Sequence, residues 1–409
     1  MCEIPAPHAH GNGIAVTHMR GEGTTPSLGV TAGRPRLGVL ATHVIQYQAP
    51  LYQELSRRAV VNLEVAFLSD MGAHPYHDAG FGAAVAWDIN LLGGYRWMIL
   101  EYHSARGNAR WLVALCTWLR RHDVVVLHGH ADPRMLLAAA TCRVLRVPYL
   151  LRGESHARPT ATGWRRCARH MVASWTVRAA AGALPAGQLN TAFYDRYGRI
   201  PHYWAPYSVD NDRFRVMAEA ARHNRTKRLA SLGLDPRLPV VIFAGKLIPR
   251  KRPLDVVRAI ERCEGELSLL MLGDGPLREE IRAFEARLPV RCLGFVNQSD
   301  LPAWYACGDI LVLPSISEPW GLVVNEAMAC GLIPVVSDAV GCAPDLVEGV
   351  GEIFPVADID SLARALLRGS HDAHDRRENI RRRLARFTIT ETALGYERAA
   401  LAIRRAPRG

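Results

Sequence analysis

The apolar positions of this chain form short, nearly continuous runs that alternate with longer segments in which apolar residues recur at helical spacing. The short runs predict buried strands, and the longer segments predict amphipathic helices. The predicted strands cover residues 36–44, 62–70, 123–131 and 148–154 in the first half and 239–247, 267–275, 290–296, 309–315 and 333–339 in the second. Because the series starts again in the second half, we predict an α/β protein with two doubly wound, Rossmann-like domains that face each other across a cleft.

The length of the chain also favours two domains, because 409 residues exceed what one hydrophobic core usually supports. We predict a first domain over residues 37–207 and a second over 208–380, with the boundary in a stretch rich in Pro, Asn and Asp. Residues 1–36 are rich in Gly, Pro and His and lack the apolar segment of a secretory signal, so a flexible tail is expected. Residues 381–409 are predicted to form a basic helix that packs back on the first domain.

The net charge of +11 is unevenly distributed. Residues 376–409 contain ten Arg and three Glu, so this segment carries +7 of the total. It has only two aromatic residues and therefore no platform for stacking bases, which argues against a nucleic-acid partner. A solvated helix face explains the charge, and docking on anionic lipid head groups is the alternative. No apolar run approaches the ~20 residues that span a bilayer, so no membrane-spanning segment is expected. The expected location is the cytoplasm, with the protein peripheral at the inner face of the membrane under the lipid-docking alternative.

The nine cysteines are scattered, odd in number and without a C-x-x-C pair. This spacing indicates neither a disulfide framework nor a zinc site. Reduced and mostly buried thiols are expected instead, as in a cytoplasmic protein.

The stretch SISEPWGLVVNEAMACG, residues 315–331, joins a predicted strand to a predicted helix and contains two carboxylates, Glu318 and Glu326. The first backbone N–H groups of a helix have no partner within it and lie at the positive end of its dipole. Here those groups belong to Gly321, Leu322 and Val323. Carboxylates accept hydrogen bonds from sugar hydroxyls. The stretch therefore predicts a phosphate site with a hydroxyl-binding carboxylate on either side.

This motif resembles the donor-binding signature of the retaining glycosyltransferases of family four, the group 1 glycosyltransferases, which have the glycosyltransferase B fold. The resemblance extends over residues 240–356 through FAGKLIPRKRPLDVVRAI, LMLGDGPLREEI, LGFV and NEAMACGLIPVVSD, in the family's order. It implies a hexosyltransferase-type enzyme that moves a sugar from a UDP-, GDP- or ADP-linked donor to an acceptor hydroxyl with retention of anomeric configuration. It implies no metal and no other cofactor.

The resemblance also implies roles for individual residues of the second domain. Glu318 would bind hydroxyls of the transferred sugar, Glu326 would bind the ribose, and Lys246 and Lys251 would hold the diphosphate. The composition adds a hint, because the chain has 47 Arg but only three Lys, and two of the three are these residues. An ammonium group is a suitable point-charge partner for phosphate.

Two further residues of the second domain belong to the predicted donor site. The backbone of Val296, in LGFV, would lie against the base. Asp274 follows a predicted strand and could line the same pocket, although a turn residue in GDGP is the simpler interpretation.

The resemblance is looser in the first domain, where a glycine-rich loop found after the first strand in many members is missing. His130 would lie near the reactive carbon of the donor sugar. With His128 it forms an H-x-H pair, but no third metal ligand is near in sequence. The segment RGESH, residues 152–156, is expected to line the cleft without an assigned role. A glycan, a lipid carrier and a small natural product all remain candidate acceptors.

The same residues bear on four alternatives to glycosyl transfer. A nucleotide-sugar epimerase of related fold is the main alternative, and a non-catalytic scaffold with a basic terminus is the second. A glycoside hydrolase also needs two carboxylates, but the helix start between Glu318 and Glu326 favours a phosphate there. A nicotinamide dehydrogenase is disfavoured because GDGPLR lacks the third glycine of G-x-G-x-x-G.

Overall fold

The computed structural model describes residues 20–22, 33–100, 108–129, 132–155, 163–371 and 373–403. The first domain is built on a seven-stranded sheet with the order β1-β6-β3-β2-β7-β8-β9, parallel except for β1, beside a β4-β5 hairpin. Its strands are β1 (Arg20–Glu22), β2 (Arg36–Ala41), β3 (Asn62–Phe67), β4 (Tyr76–Asp78), β5 (Ala83–Val85), β6 (Arg96–Ile99), β7 (Val124–His128), β8 (Tyr149–Arg152) and β9 (Gly182–Ala183). Its helices are α1 (Ala49–Arg58), α2 (Asn108–Arg120), α3 (Pro133–Leu145), α4 (Gly163–Arg178) and α5 (Gln188–Tyr197).

The second domain is built on a six-stranded parallel sheet with the order β12-β11-β10-β13-β14-β15. Its strands are β10 (Val240–Ala244), β11 (Ser268–Leu272), β12 (Val290–Gly294), β13 (Ile310–Leu313), β14 (Ile333–Ser337) and β15 (Glu352–Phe354). The helices from the linker onward are α6 (Asn211–Ala221), α7 (Arg225–Ser231), α8 (Pro253–Arg262), α9 (Arg278–Arg282), α10 (Leu301–Tyr305), α11 (Leu322–Ala329), α12 (Ile359–Ser370), α13 (Ala373–Leu384) and α14 (Ile389–Ile403). Central strands β10, β11, β13 and β14 are buried throughout, as their continuous apolar sequences require.

Both sheets have the strand order of a doubly wound fold, which confirms the predicted fold class. In each sheet, apart from the edge strand β1, the chain begins at the centre, builds outward on one side and then crosses to the other side. The crossing leaves a crevice beyond the carboxyl ends of two neighbouring strands, β2 and β7 in the first domain and β10 and β13 in the second. Ligands of open α/β sheets bind in such crevices. The loops that follow these four strands are therefore the first place to look for a site.

The C-terminal helices divide between the two domains. Ile380 and Leu384 of α13 are buried in a core of the second domain, whereas Tyr396 and Ala400 of α14 are buried in a core of the first. The predicted boundary between residues 380 and 381 therefore falls inside a helix, and the chain crosses to the first domain only after Leu384. The apolar face of α13 belongs to the second domain, which is why the whole helix stays there.

The predicted flexible tail contains a strand. Arg20–Glu22 pairs antiparallel with Arg96–Ile99 and so extends the sheet at its edge. This pairing supplies partners for backbone groups that an edge strand leaves exposed. Residues 1–19 and 23–32 of the predicted tail lie outside the described residues.

Within the described ranges, no helix is both long enough and apolar enough to cross a bilayer. Eight described cysteines are unpaired, and five of them are buried. In the same part of the chain, His, Cys, Asp and Glu side chains do not gather in groups of three or more that could hold a metal ion.

Candidate functional site

Two loops of the second domain meet beyond the ends of β10 and β13. The backbone N–H of Ile316 donates to the carbonyl oxygen of Arg250 at 3.0 Å, and Arg250 Nη1 donates to the carbonyl oxygen of Ser317 at 2.6 Å. These bonds bring Lys251 next to Glu318, and Lys251 Nζ donates directly to Glu318 Oε2. Both side chains are largely buried, so the pair forms a fixed charged cluster in the crevice.

A second cation belongs to this cluster and was missed from the sequence. Arg250 Nη1 lies 3.9 Å from Glu318 Oε2. Ser315 Oγ also donates to that oxygen at 3.3 Å. The motif PRKR, residues 249–252, is visible in the sequence, but nothing in its spacing distinguishes Arg250 from the other basic residues.

The start of α11 has the geometry expected of an anion site. Gly321 precedes the helix with a φ of 98°, in the left-handed region that favours glycine, and the helix lacks a side-chain cap. The segment that precedes α11 is anchored, because the backbone N–H of Gly341 donates to the carbonyl oxygen of Glu318 at 2.8 Å. Among the described residues, the backbone N–H groups of Gly321, Leu322 and Val323 have no hydrogen-bond acceptor. Three amides at the positive end of a helix dipole are thus available to a ligand.

Glu326 lies on α11 in a separate, half-buried polar cluster. Tyr305 Oη donates to Glu326 Oε2 at 3.2 Å, and the carboxylate is also hydrogen-bonded by Gln298. Gln298 in turn accepts from Arg213 Nη2 at 3.1 Å. Burial raises the pKa of Glu326 to about 7, against the opposing effect of these hydrogen bonds and of the Arg213 charge. The carboxyl group therefore titrates near neutral pH.

Lys246 lies on the loop after β10 and is paired across the cleft. Its Nζ donates to Asp78, the last residue of β4 in the first domain, at 2.8 Å. Burial is the largest single effect on Asp78 and opposes its ionisation, but the hydrogen bonds from Lys246 and from the backbone N–H groups of Gly80 and Phe81, with the Lys246 charge, together outweigh it and lower the pKa of Asp78. The two lysines of the predicted diphosphate site thus have different partners, one in each domain.

The remaining donor-site residues of the prediction lie on neighbouring loops. Val296 is half-buried after β12 and packs against the core of the second domain. Asp274 accepts from the backbone N–H of Gly275 at 2.8 Å and from Arg278 Nη1 at 2.6 Å. Both of its oxygens accept hydrogen bonds within this local structure, as a turn residue's would, and its place in the donor pocket stays a prediction.

On the first-domain side of the cleft, His128 ends β7 and is held by two neighbours. Gln48 Nε2 lies 3.0 Å from His128 Nδ1, and Tyr207 Oη lies 3.1 Å from His128 Nε2. Burial, with the charges of Arg152 and His43, lowers the pKa of His128 to about 3, so the ring is neutral. The predicted site residue His130 lies outside the described residues.

The segment after β8 brings a carboxylate to the same side. Tyr47 Oη donates to Glu154 Oε1 at 3.3 Å, and burial raises the pKa of Glu154 while the negative charge of Glu318 raises it further. Glu154 belongs to the first domain and Glu318 to the second, so the charges of these two carboxylates interact across the cleft. Sequence alone assigned Glu154 only to the cleft lining, because its partner Tyr47 is 107 residues away.

Arg152 has a structural role in this segment. Its guanidinium donates to the carbonyl oxygens of Leu184 and Ala205 and stacks on the Tyr207 ring, 4.5 Å from the ring centre. It thereby ties the end of β8 to the segment that leads into the second domain.

A direct contact between the domains lies beside the crevice. The backbone N–H of Gln188, at the start of α5, donates to both oxygens of Asp345 at 3.2 and 3.0 Å. Asn325 Nδ2 of α11 donates to the carbonyl oxygen of Tyr207 at 3.3 Å. The helix that carries the amide cluster is thus connected to the linker between the domains.

Residues 224–386 match the protein family described as glycosyl transferases group 1. A relative from Streptomyces fradiae, 2-deoxystreptamine N-acetyl-D-glucosaminyltransferase, is 30% identical over 332 residues, which cover 74% of this chain and 78% of that protein. The sulfoquinovosyl transferase of Arabidopsis thaliana is 33% identical over 147 residues, 35% of this chain. A D-inositol 3-phosphate glycosyltransferase of Xylanimonas cellulosilytica is 35% identical over 144 residues. The matches span only 28% and 34% of the last two proteins.

Solved structures share the fold at lower sequence identity. The Anabaena protein HepE in complex with UDP and glucose superposes with a TM-score of 0.66 at 16% identity, covering 88% of this chain and 97% of that one. Sucrose-phosphate synthase of Thermosynechococcus elongatus superposes with a TM-score of 0.61 at 17% identity, covering 88% and 96%. The two-domain arrangement is therefore shared with these proteins over nearly their whole length.

Proposed function

Because this chain belongs to the group 1 glycosyl transferases, we propose that it moves a glycosyl group from a nucleotide-sugar donor to an acceptor hydroxyl with retention of anomeric configuration. One observation carries the proposal. Lys251, Glu318 and the free amides at Gly321 lie together beyond β10 and β13, where a doubly wound sheet binds its ligand. This set combines groups for phosphate with a group for hydroxyls, as a sugar diphosphate requires.

In the proposed complex the diphosphate lies at the start of α11, between the helix amides and the ammonium groups of Lys246 and Lys251. Glu318 then accepts hydrogen bonds from the transferred sugar, and Glu326 accepts them from the ribose. The base lies against the backbone of Val296. The UDP bound by the Anabaena protein of similar fold makes UDP the first nucleotide to test, with GDP and ADP beside it.

The proposed reaction breaks the bond between the anomeric carbon and the diphosphate oxygen while the acceptor oxygen forms the new bond on the same face of the sugar. Negative charge grows on the leaving oxygens, and the two ammonium groups and the helix amides stabilise it. The acceptor proton passes to a leaving phosphate oxygen, so no protein base is required. The residues of this chain supply the positive charge, and neither a metal ion nor another cofactor enters the proposal.

For the acceptor we propose a small polyhydroxylated amine as the first candidate. The Streptomyces relative is named for transfer to 2-deoxystreptamine, an aminocyclitol. Its match covers 74% of this chain, whereas the 202 residues after position 207 make up only about half of the 409, so the match extends into the first domain. Glu154, on the first-domain side of the cleft, provides a carboxylate for an ammonium group. A glycan and a lipid-linked sugar are the other arms of the acceptor screen.

Binding and product analysis test this proposal. Thermal unfolding is measured with UDP, GDP and ADP and with their common sugar conjugates. A ligand at 100 times its Kd stabilises the folded state by about 2.7 kcal/mol. The conjugate of the stabilising nucleotide is then incubated with acceptors, and the anomeric configuration of the product is read by NMR. A changed nucleotide sugar formed without acceptor would identify an epimerase, and the absence of nucleotide binding at millimolar concentration would favour a scaffold protein.

We also propose a peripheral contact with anionic lipid in the cytoplasm, on a different surface from the C-terminal segment. Several C-terminal arginines have internal partners: Arg376 pairs with Glu352 at 2.9 Å, and Arg383 donates to the carbonyl oxygen of Asp345 at 2.8 Å. By contrast, α2, α3 and α4 contain no Asp or Glu. They expose large apolar side chains, among them Val113, Val144, Met171 and Trp175.

Vesicle sedimentation tests the lipid contact. Arginines and exposed apolar side chains on one face favour an anionic bilayer. We expect binding to phosphatidylglycerol vesicles but not to phosphatidylcholine vesicles, and less binding for Trp175→Ser. Leu401→Ser, which changes an exposed apolar residue of α14, is the matched control. Equal binding by both variants would contradict the proposed surface.

A further inference from the structure

An arm of the first domain reaches across the cleft to the walls of the proposed donor site. We define the arm as residues 76–88, which comprise β4, β5 and the segment that follows. Phe81 packs edge-on against Phe295 with ring centres 5.0 Å apart. Asn297 Nδ2 donates to the carbonyl oxygen of Ala86 at 2.6 Å, and the backbone N–H of Ser299 donates to Asp88 at 3.2 Å. The arm thus contacts the loop after β12 on both sides of Val296.

The tip of the arm also covers the loop after β10. Asp78 accepts from Lys246 Nζ at 2.8 Å, and the same ammonium group lies 5.1 Å from the centre of the Phe81 ring. The fit is close, since a Cβ built on Gly80 would lie 2.6 Å from Lys246 Cδ. The Asp78 side chain is only 14% exposed and that of Lys246 34%, so water screens this pair incompletely.

A carboxylate and a phosphate compete for the same face of an ammonium group. Each is an anionic oxygen acceptor that seeks a charge-assisted hydrogen bond. When a diphosphate oxygen approaches Lys246, the neighbouring carboxylate repels it. The arm therefore places the Asp78 carboxylate next to Lys246, where a diphosphate oxygen of the donor would otherwise bind.

We propose that Asp78 is a positioning residue of the donor site that competes with the diphosphate for Lys246, so that the arm withdraws from Lys246 when the donor binds. This inference rests on the proposed function, because it assigns Lys246 to the diphosphate. Donor affinity then depends on the competition between the Asp78 carboxylate of the first domain and the diphosphate of the donor for the Lys246 ammonium group. The arm affects that competition without contacting the reacting atoms.

Calorimetric titration with inorganic pyrophosphate and with UDP, GDP and ADP tests the competition. Asp78→Asn keeps the shape of the side chain and removes its charge. We expect this variant to bind pyrophosphate and the preferred nucleotide about three- to tenfold more tightly than the wild type. The KM for the donor falls by a similar factor in steady-state assays. A residue that only supported the fold would raise KM on substitution.

Two control variants test whether the change in affinity comes from the negative charge at Asp78. Asp88→Asn removes the same charge from the same arm but at Ser299, so its affinity is expected to change less than twofold. Asp78→Glu retains the competing carboxylate and is expected to retain weak binding. If the wild type binds a nucleotide and Asp78→Asn binds it equally or more weakly, the competition is refuted while the donor site stands. If no variant binds pyrophosphate or any of the nucleotides at millimolar concentration, the proposed function fails and the inference fails with it.

Discussion

The contact between Lys251 and Glu318 joins the group proposed to bind phosphate to the group proposed to bind sugar hydroxyls. The direct contact fixes the orientation of both side chains, so little rearrangement is needed when a donor enters. Arg250 adds a second positive charge 3.9 Å from Glu318. The group proposed to stabilise the leaving diphosphate and the group proposed to hold the sugar are therefore expected to act as one unit.

This coupling is measurable with a double-mutant cycle. Lys251→Ala and Glu318→Ala are each expected to lower kcat/KM by about 10²- to 10³-fold, the usual loss for one group that stabilises transition-state charge. The double variant is expected to lose much less than the product of the two, because each single change already disrupts the shared cluster. Asp235→Ala, which removes an exposed carboxylate paired with Arg237, is the control. Additive losses would contradict the coupling.

The titration of Glu326 predicts a pH dependence of donor binding. Burial raises its pKa to about 7, and only the ionised carboxylate accepts hydrogen bonds from both ribose hydroxyls. As the pH falls through 7, the ionised fraction falls, so affinity for a nucleotide sugar is expected to weaken about tenfold from pH 8 to pH 6. A nucleotide sugar is the suitable probe because its diphosphate is a diester that does not titrate in this range.

Glu326→Gln provides the comparison for this titration. The amide keeps the shape of the side chain but cannot ionise, so its affinity is expected to be low and constant over the same pH range. Calorimetry at three pH values is sufficient. A wild-type affinity that does not change between pH 6 and pH 8 would count against a role for this carboxylate in ribose binding.

At the scale of single elements, the two ends of α11 are expected to have different functions although both have a glycine with positive φ. Gly321 has a φ of 98° at the start and Gly331 a φ of 89° after the end. A non-glycine residue in this region costs about 1–2 kcal/mol. Both glycines are thus required by the backbone, but only the first adjoins the amides proposed to bind phosphate.

Alanine substitution separates these functions. Gly321→Ala and Gly331→Ala are each expected to lower the free energy of unfolding in urea by about 1–2 kcal/mol. Gly321→Ala alone is expected to weaken pyrophosphate binding, because its new Cβ would lie 2.9 Å from Leu313 and shift the helix start. The nearest atom to a Cβ at Gly331 is 3.6 Å away, on Arg222. Equal loss of binding in the two variants would exclude a direct role for the helix start.

The elements also show what the sequence could and could not predict. All nine predicted strands are present, because most of them lie in apolar runs that are buried in the sheets. The six strands of the described ranges that were missed have two to four residues each, too few for any periodicity. The arm is built from two of them, and its position depends on Phe295 in the other domain. Such an element is specified by tertiary contacts and leaves no local signal.

The residues of the candidate site also differ in whether the sequence could predict them. Lys251 and Glu318 follow strands at the switch point of one sheet, so the topology brings them together and the sequence could suggest both. Asp78 and Glu154 reach the cleft through contacts 168 and 107 residues away in sequence, with Lys246 and Tyr47 respectively. Only packing between distant segments defines these partners.

At the scale of the whole molecule, α14 joins the end of the chain to its beginning. Arg58 of α1 and Glu397 of α14 form a two-pronged ion pair, with Nε to Oε1 at 2.7 Å and Nη2 to Oε2 at 3.0 Å. The Glu397 side chain is only 5% exposed. Around this pair, Tyr396 and Ala400 pack in the same core as the first-domain strands. The C-terminal helix is therefore a structural part of the first domain.

Removing one partner of this pair is expected to destabilise the protein. Arg58→Ala leaves the Glu397 carboxylate buried without its cation, which costs about 1–3 kcal/mol. Urea unfolding measures the loss. Arg57→Ala is the matched control, because Arg57 is the adjacent residue of the same helix and pairs with Glu54 at the surface. It is expected to leave the urea midpoint almost unchanged, and an equal shift in both variants would argue that the Arg58–Glu397 contact is weak.

Because α14 packs in a core of the first domain, that domain is completed only when the end of the chain has been translated. A ribosome delivers the seven strands of the first sheet early, yet the helix that covers one side of that sheet is translated only at residues 389–403. Until then the apolar surface later covered by Tyr396 and Ala400 has no permanent cover, and nascent chains in that state are prone to aggregate. Premature termination anywhere in the second domain should therefore leave the first domain incomplete as well, so shortened products are expected to require chaperones or to be degraded.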